Sequence, residues 1–230
     1  MNRLLITVFV AGSVLAATIS QAAISLQFSG VPGSSMAFFG VASQFNILTP
    51  LPTPLNPGGH QWWVTGGGSG AAWGLYGDFA GGPWSYGPIT VNGSDESALV
   101  TTLGGTMTIL DALNVPLSGT VNWVEVSTSQ FIGGVDAAAI VNLSGLNYGG
   151  LNPDLLAFAA NGFGSVNLSF QFNGPGMTLT DLTTGQGRYT TSYSGSVAAV
   201  PEASTLLAGI LLLLPFGAST LRMVRKNRAA

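Results

Sequence analysis

The sequence predicts an all-β fold for the central part of the chain, a single antiparallel β-sandwich of the jelly-roll type. Three observations predict it. Apolar residues recur at every second position over many short runs, the period of a strand buried on one face. Glycine- and asparagine-rich turn signals separate those runs. Only one stretch carries helix signals at both ends. A closed barrel is the alternative.

Taken in order, Ile24, Leu26 and Phe28 alternate with Ser25, Gln27 and Ser29. Met107 and Ile109 alternate with Thr106 and Thr108. "GTVNWVEV" breaks phase between Trp123 and Val124, which predicts a bulge or a strand buried on both faces. "NPDLLAFAANG" reads as the helix: Asn152 caps it, Pro153 suits its first turn, and Asn161-Gly162 ends it. Val166, Leu168, Phe170 and Phe172 alternate with Asn167, Ser169 and Gln171. Met177 and Leu179 alternate with Thr178 and Thr180, which predicts another strand. A last run passes through Tyr189, Thr191 and Tyr193 to Val197. Turns are expected at Asn92-Gly93, Gly104-Gly105, Gly133-Gly134, Asn173 to Gly176 and Gly185 to Gly187. The chain has no fixed-period repeat, which argues against a solenoid or propeller.

Charged residues are only 7% of the 230, while hydrophobic residues reach 47% and aromatics 10%. That apolar share suffices for a packed core and excludes disorder for most of the chain. Cysteine is absent, so neither a disulfide framework nor a thiolate metal site exists. Residues 23 to 200 hold one base, Arg188, against eight acids. With phosphate contacts dependent on basic side chains, nucleic acid is excluded as a partner.

The two ends read as addresses. Arg3 is followed by an apolar run from Leu4 to Ala17, and Ser20-Gln21-Ala22 offers small residues at the positions a signal peptidase reads. Residues 1–22 therefore read as a secretory signal peptide, cleaved between Ala22 and Ala23. At the other end, residues 204–221 carry no charge and are rich in Leu, Ala, Gly and Ile. As a helix they rise about 27 Å, close to the thickness of a hydrocarbon core. Arg222, Arg225, Lys226 and Arg228 follow at once, four of the six bases of the whole chain. The positive-inside rule keeps them in the cytoplasm and leaves the β domain, residues 23–199, outside the inner membrane.

Val200-Pro201-Glu202-Ala203-Ser204-Thr205 precedes that apolar stretch. The layout resembles the PEP-CTERM sorting signal of exopolysaccharide-producing Gram-negative bacteria, here spanning residues 200–230. In that family a Pro-Glu-Pro motif precedes a transmembrane helix and a short Arg-rich end. Pro201 and Glu202 match the first two motif positions, and Ala203 stands where the family has its second proline. The resemblance implies an exosortase as processing partner, an inner-membrane precursor, and a final site at the cell surface or in the extracellular matrix, with exopolysaccharide at hand. Pro201 fixes its own φ, so the segment presented to such an enzyme is held extended.

Signatures of chemistry are sparse. Gly67-Gly68-Ser69-Gly70-Ala71 lacks the second glycine of a nucleophile elbow. His60 is the single histidine; a Ser–His–acid triad can be drawn with it, but its Pro/Gly-rich surroundings read as a solvated loop. "NGSDES" offers Asn92, Asp95 and Glu96 as oxygen ligands without EF-hand spacing, and reads as a turn with hydrogen-bonded acids. The sole lysine, Lys226, lies in the tail, so there is no phosphate-binding loop. No catalytic residue, metal ligand or cofactor is assigned.

Residues 60–88 hold four of the five tryptophans, Trp62, Trp63, Trp73 and Trp84, among many glycines. Two readings stand. The rings fill the core, or they stack on sugar rings and the segment is a carbohydrate-binding surface. The sequence thus points first to a non-enzymatic surface or matrix protein, then to a carbohydrate-binding module, then to a secreted hydrolase.

Overall fold

The computed structural model describes residues 24–200 except 103, 130–136, 173–176 and 186. The signal segment with its Ala22–Ala23 junction, the motif Pro201-Glu202-Ala203, the apolar stretch 204–221 and the tail bases Arg222, Arg225, Lys226 and Arg228 lie outside the described residues, as do the turns expected at Gly133-Gly134 and Asn173 to Gly176.

The runs of alternating polarity become strands. The chain lays down β1 (Ser25–Gly30), β2 (Ser35–Phe39) and β3 (Gln44–Leu48). A long loop leads to β4 (Trp62–Gly67), β5 (Tyr76–Ala80) and the two-residue β6 (Trp84–Ser85). The hairpin β7 (Thr90–Asn92) and β8 (Asp95–Leu99) is followed by β9 (Thr106–Leu110), β10 (Pro116–Ser129) and β11 (Ala137–Tyr148). Helix α1 (Pro153–Ala159) precedes β12 (Phe163–Phe170), and helix α2 (Leu179–Thr184) precedes β13 (Arg188–Thr191) and β14 (Tyr193–Ala199).

The fold is all-β and its pairings are antiparallel, but the main sheet does not stay open as one half of a sandwich. Eight strands pair in the order β11-β12-β14-β1-β4-β5-β9-β10, and β10 pairs back to β11. The length of β10 makes this possible. Pro116–Thr120 pair with β9 and Glu125–Ser129 with β8 on one edge, while the other edge runs along β11. Closure leaves no free edge in the ring. The register slips between Trp123 and Glu125, where the sequence breaks phase, and Val124 turns outward. One extra residue there keeps both Trp123 and Val126 in the core.

A second sheet, β13-β2-β3-β6, packs on one end of the ring. Phe38 of β2 lies 5.1 Å from Phe170 at the end of β12, and Phe45 of β3 lies 5.0 Å from Trp123, centroid to centroid. A continuous aromatic chain joins the two sheets: Phe28 to Trp62 (4.8 Å), Trp62 to Phe79 (5.5 Å), Phe79 to Trp123 (6.2 Å) and Trp123 to Trp84 (4.8 Å). Burying each such ring contributes about 1.5–3 kcal/mol, which is how a chain without disulfides holds the closed form.

Two strand expectations are corrected. Met177 to Thr180 is not a strand: Thr178 caps α2, accepting the Asp181 amide while Asp181 accepts the Thr178 amide. That reciprocal box satisfies two otherwise orphaned donors and turns Leu179 and Leu182, three apart, into the core. The run from Tyr189 to Val197 is two strands rather than one. β13 pairs with β2 in the second sheet, and after Ser192 the chain crosses into the ring as β14 between β1 and β12.

The helix expected at Asn152 to Gly162 is present as α1. Asn152 Oδ1 accepts the amides of Asp154 and Leu155, and Gly162 at φ +67° releases the chain into β12. Leu155 and Phe158 are buried against the end of the ring opposite the second sheet.

Candidate functional site

Neighbouring residues of a strand point to opposite faces, so the tryptophan-rich segment is divided by its own backbone. Trp62 and Trp84 are fully buried, whereas Trp63 is 40% and Trp73 65% exposed. Gly77, opposite Trp62 on β5, leaves the room that the inward indole occupies; a Cβ there would stand 2.3 Å from Trp62 Cζ2. Trp84 Nε1 donates to Gly104 O at 2.9 Å, which anchors a ring the sugar-stacking reading needs outside. Core packing therefore holds for Trp62 and Trp84, and any aromatic contact with a ligand falls to Trp63 and Trp73.

On the outer wall Trp63 faces Tyr76 as a cross-strand pair. Tyr76 and Asp78 alternate with the inward Gly77 and Phe79, and β4–β5 pairing brings both up to His60. His60 Nδ1 lies 2.7 Å from Asp78 Oδ2, and its ring stacks on Tyr76 at 5.3 Å and 23°. Asp78 Oδ1 accepts the Gln61 amide at 2.9 Å. Asn56 grips the His60 backbone from both sides, donating to its carbonyl at 2.8 Å and accepting its amide at 2.9 Å. The Tyr76 hydroxyl donates to Leu55 O at 2.6 Å and ties the proline-rich loop down.

His60 is thus not the solvated loop histidine its local sequence suggests. Its partner is eighteen residues away and arrives only through strand pairing. Among the described residues no serine or threonine hydroxyl bonds the imidazole, and Gly58 approaches its Nε2 so closely that a Cβ there would stand 2.2 Å away. Among the described residues the pair has an acid and a ring nitrogen but no hydroxyl bonded to the imidazole. What the wall offers is two aromatic faces, Trp63 and Tyr76, beside a carboxylate that is about one-third exposed. Such a surface can stack on an apolar ring face and accept hydrogen bonds at its edge.

Asp95 and Glu96 have structural work. Asn92 and Asp95 pair across the β7–β8 hairpin, whose Gly93 sits at φ +66°. Asp95 accepts from Ser129 Oγ at 2.6 Å, and the buried Glu96 accepts the Thr180 amide at 2.7 Å in the first turn of α2. The two carboxylates take opposite faces of one strand and serve different elements. Among the described residues no three His, Asp or Glu side chains converge as a metal site.

Sequence reading passed over two buried carboxylates at the end of the ring next to α1. Asp154 Oδ1 accepts the Ser69 amide at 2.7 Å and Oδ2 the Ala72 amide at 2.9 Å, so this acid holds the loop that displays Trp73. Burial pushes its pKa up, but the amides of Ser69, Ala72 and Ala71 and the Ser69 hydroxyl outweigh that and hold it below the ordinary carboxylate value. Asp111 accepts from the Tyr148 hydroxyl at 2.6 Å and from the amides of Leu113 and Val115, each at 2.8 Å. The Tyr148 bond is the main cause that lowers its pKa. The one available signal was that "NPD" is both a cap and a source of an inward carboxylate.

Comparison with protein-family models, curated proteins and solved structures finds no match.

Proposed function

We propose that this chain is an exported, non-enzymatic cell-surface or extracellular-matrix protein, made as an inner-membrane precursor and processed by an exosortase in an exopolysaccharide setting. The observation that carries the reading is the order of the C-terminal segment: Pro201-Glu202-Ala203, the uncharged residues 204–221, then Arg222, Arg225, Lys226 and Arg228. Ile24–Val200 forms one compact unit, consistent with a domain delivered between two removable ends. Its first and last strands pair, with Ser25 opposite Ala198 and the Ala199 amide donating to Ile24 O at 2.9 Å. Cutting after Ala22 by signal peptidase and near Pro201 by exosortase leaves that ladder whole.

The test compares wild type with Glu202→Ala in an exosortase-positive host. Wild type should begin at Ala23 and lose the Arg-rich tail by intact mass. The variant should still be exported and inserted, yet accumulate with the tail attached. A wild-type chain that keeps residues 222–230, or retains Met1, overturns the corresponding half of the reading.

A second reading, favoured by the outward pair Trp63 and Tyr76 beside Asp78, is that the ring wall binds polysaccharide. Sugar-dependent quenching of tryptophan fluorescence that disappears in Trp63→Ala supports it, and quenching unchanged in that variant removes it. Turnover of a polysaccharide abolished by Asp78→Asn would instead make the protein a hydrolase.

A further inference from the structure

Antiparallel closure brings eight strand ends to one rim: the starts of β1, β5, β10 and β12 and the ends of β4, β9, β11 and β14. The loops at this rim are 68–75, 111–115 and 149–162, and both termini of the described domain lie there. Of the twelve exposed large apolar side chains among the described residues, six belong to this rim: Trp73 (65%), Leu113 (74%), Leu151 (82%), Leu156 (43%), Phe163 (47%) and Val200 (45%). The rest are spread over the wall, the proline-rich loop and the β7–β8 side.

We propose that this rim is a lipid-facing surface, on which the domain rests against the headgroup interface of the bilayer that holds its anchor.

Charge argues for it. The rim segments contain two ionisable residues, Asp111 and Asp154, and both are buried and hydrogen-bonded inward. Asp78, Asp95, Glu125, Asp181 and Arg188 all lie outside these loops. An acidic domain is repelled by anionic headgroups, and loops that carry no exposed charge among the described residues are the ones that can approach them at least cost. Trp73 supplies the amphipathic ring that prefers the membrane interface.

Rigidity argues for it too. Asp154 holds Ser69 and Ala72, Asn152 Nδ2 donates to Ala71 O at 2.8 Å, and Asn152 N donates to the Tyr148 hydroxyl at 3.0 Å. Tyr148 in turn binds Asp111, whose carboxylate fixes Leu113. One hydrogen-bonded chain thus spans three loops and fixes the backbone from which their exposed apolar side chains project.

Distance closes the argument, and here the inference rests on the anchor reading of residues 204–221. Val200 leaves from this rim, with its amide bonded to Phe163 O at 3.1 Å. Ser204 begins the apolar stretch four residues later, a reach of about 14 Å when fully extended. A domain tethered that closely by that rim meets the membrane with it.

The chain has no cysteine, so single-cysteine variants can be labelled cleanly. Full-length Leu113→Cys, Leu151→Cys and, as the distant control, Val91→Cys would each carry an environment-sensitive fluorophore in phosphatidylcholine–phosphatidylglycerol vesicles containing a headgroup-level quencher lipid. The expected result is co-flotation with vesicles and quenching about threefold stronger at positions 113 and 151 than at 91. Co-flotation with equal quenching at all three sites overturns the lipid-facing rim and leaves the anchor reading standing. Failure to float overturns the anchor reading, and this inference with it. Matching melting temperatures for the three variants confirm that the fold is unchanged.

Discussion

Asp154 accepts the backbone amide of Ser69, eighty-five residues earlier in the chain, at 2.7 Å, and thereby joins the first turn of α1 to the β4–β5 loop. Its second oxygen takes Ala72 N. Asp154→Asn keeps the shape but removes the charge and one acceptor, and should lower stability by about 2 kcal/mol at pH 7. The folded carboxyl has its pKa depressed, so its contribution is fully present above the unfolded value near 4 and is lost as pH falls through the lower folded value. The gap between native and variant, followed by chemical denaturation, should therefore be widest at neutral pH and shrink below about pH 4. A gap independent of pH would show that the charge contributes nothing.

Phe170 and Ser169 are adjacent on β12, one turned into the core and one half-exposed on the wall. Phe170 also contacts Phe38 and Phe172. Phe170→Asp should leave the protein unfolded, because an unpaired charge in that site costs several kcal/mol. Ser169→Asp should change stability by about 0.5 kcal/mol or less. Circular dichroism melts of the two variants decide it, and equal tolerance would mean that the inward face is misassigned.

Gly77 and Gly149 separate packing from turn freedom. Three atoms of the buried Trp62 indole lie within 2.5 Å of where a Gly77 Cβ would stand, whereas nothing lies within 4 Å at Gly149. Gly77→Ala must displace an indole that has no room to move, and should cost about 1–3 kcal/mol or more. Gly149→Ala should melt with the native protein. Near-ultraviolet circular dichroism, which reports on the packed tryptophans, should change only in the first.

Local spacing carried much of the secondary structure. The alternation at Ile24 to Ser29, Thr106 to Ile109 and Val166 to Phe170 became β1, β9 and β12, and the phase break at Val124 became a register shift. The cap at Asn152 became α1. These features depend on residues within a few positions of one another, so they can be read from a string. Met177 to Thr180 was misleading because two periods share the same short run. A Thr-x-x-Asp box fits it as well as alternation does, and tertiary burial of Leu179 and Leu182 chose the helix.

The sequence by itself determined that this is an antiparallel β protein without disulfides, in which apolar and polar residues must alternate across each strand. Only the tertiary structure decided that the main sheet closes, because closure depends on Leu117 meeting Tyr148 and Thr120 meeting both Thr106 and Ser144. It also decided which of two adjacent tryptophans enters the core. Period two says that Trp62 and Trp63 part company; the space above Gly77 says which goes in. His60 and Asp78, eighteen residues apart, are joined for the same reason. Contacts between strands are set by register, and register is a property of the whole ladder rather than of any segment in it.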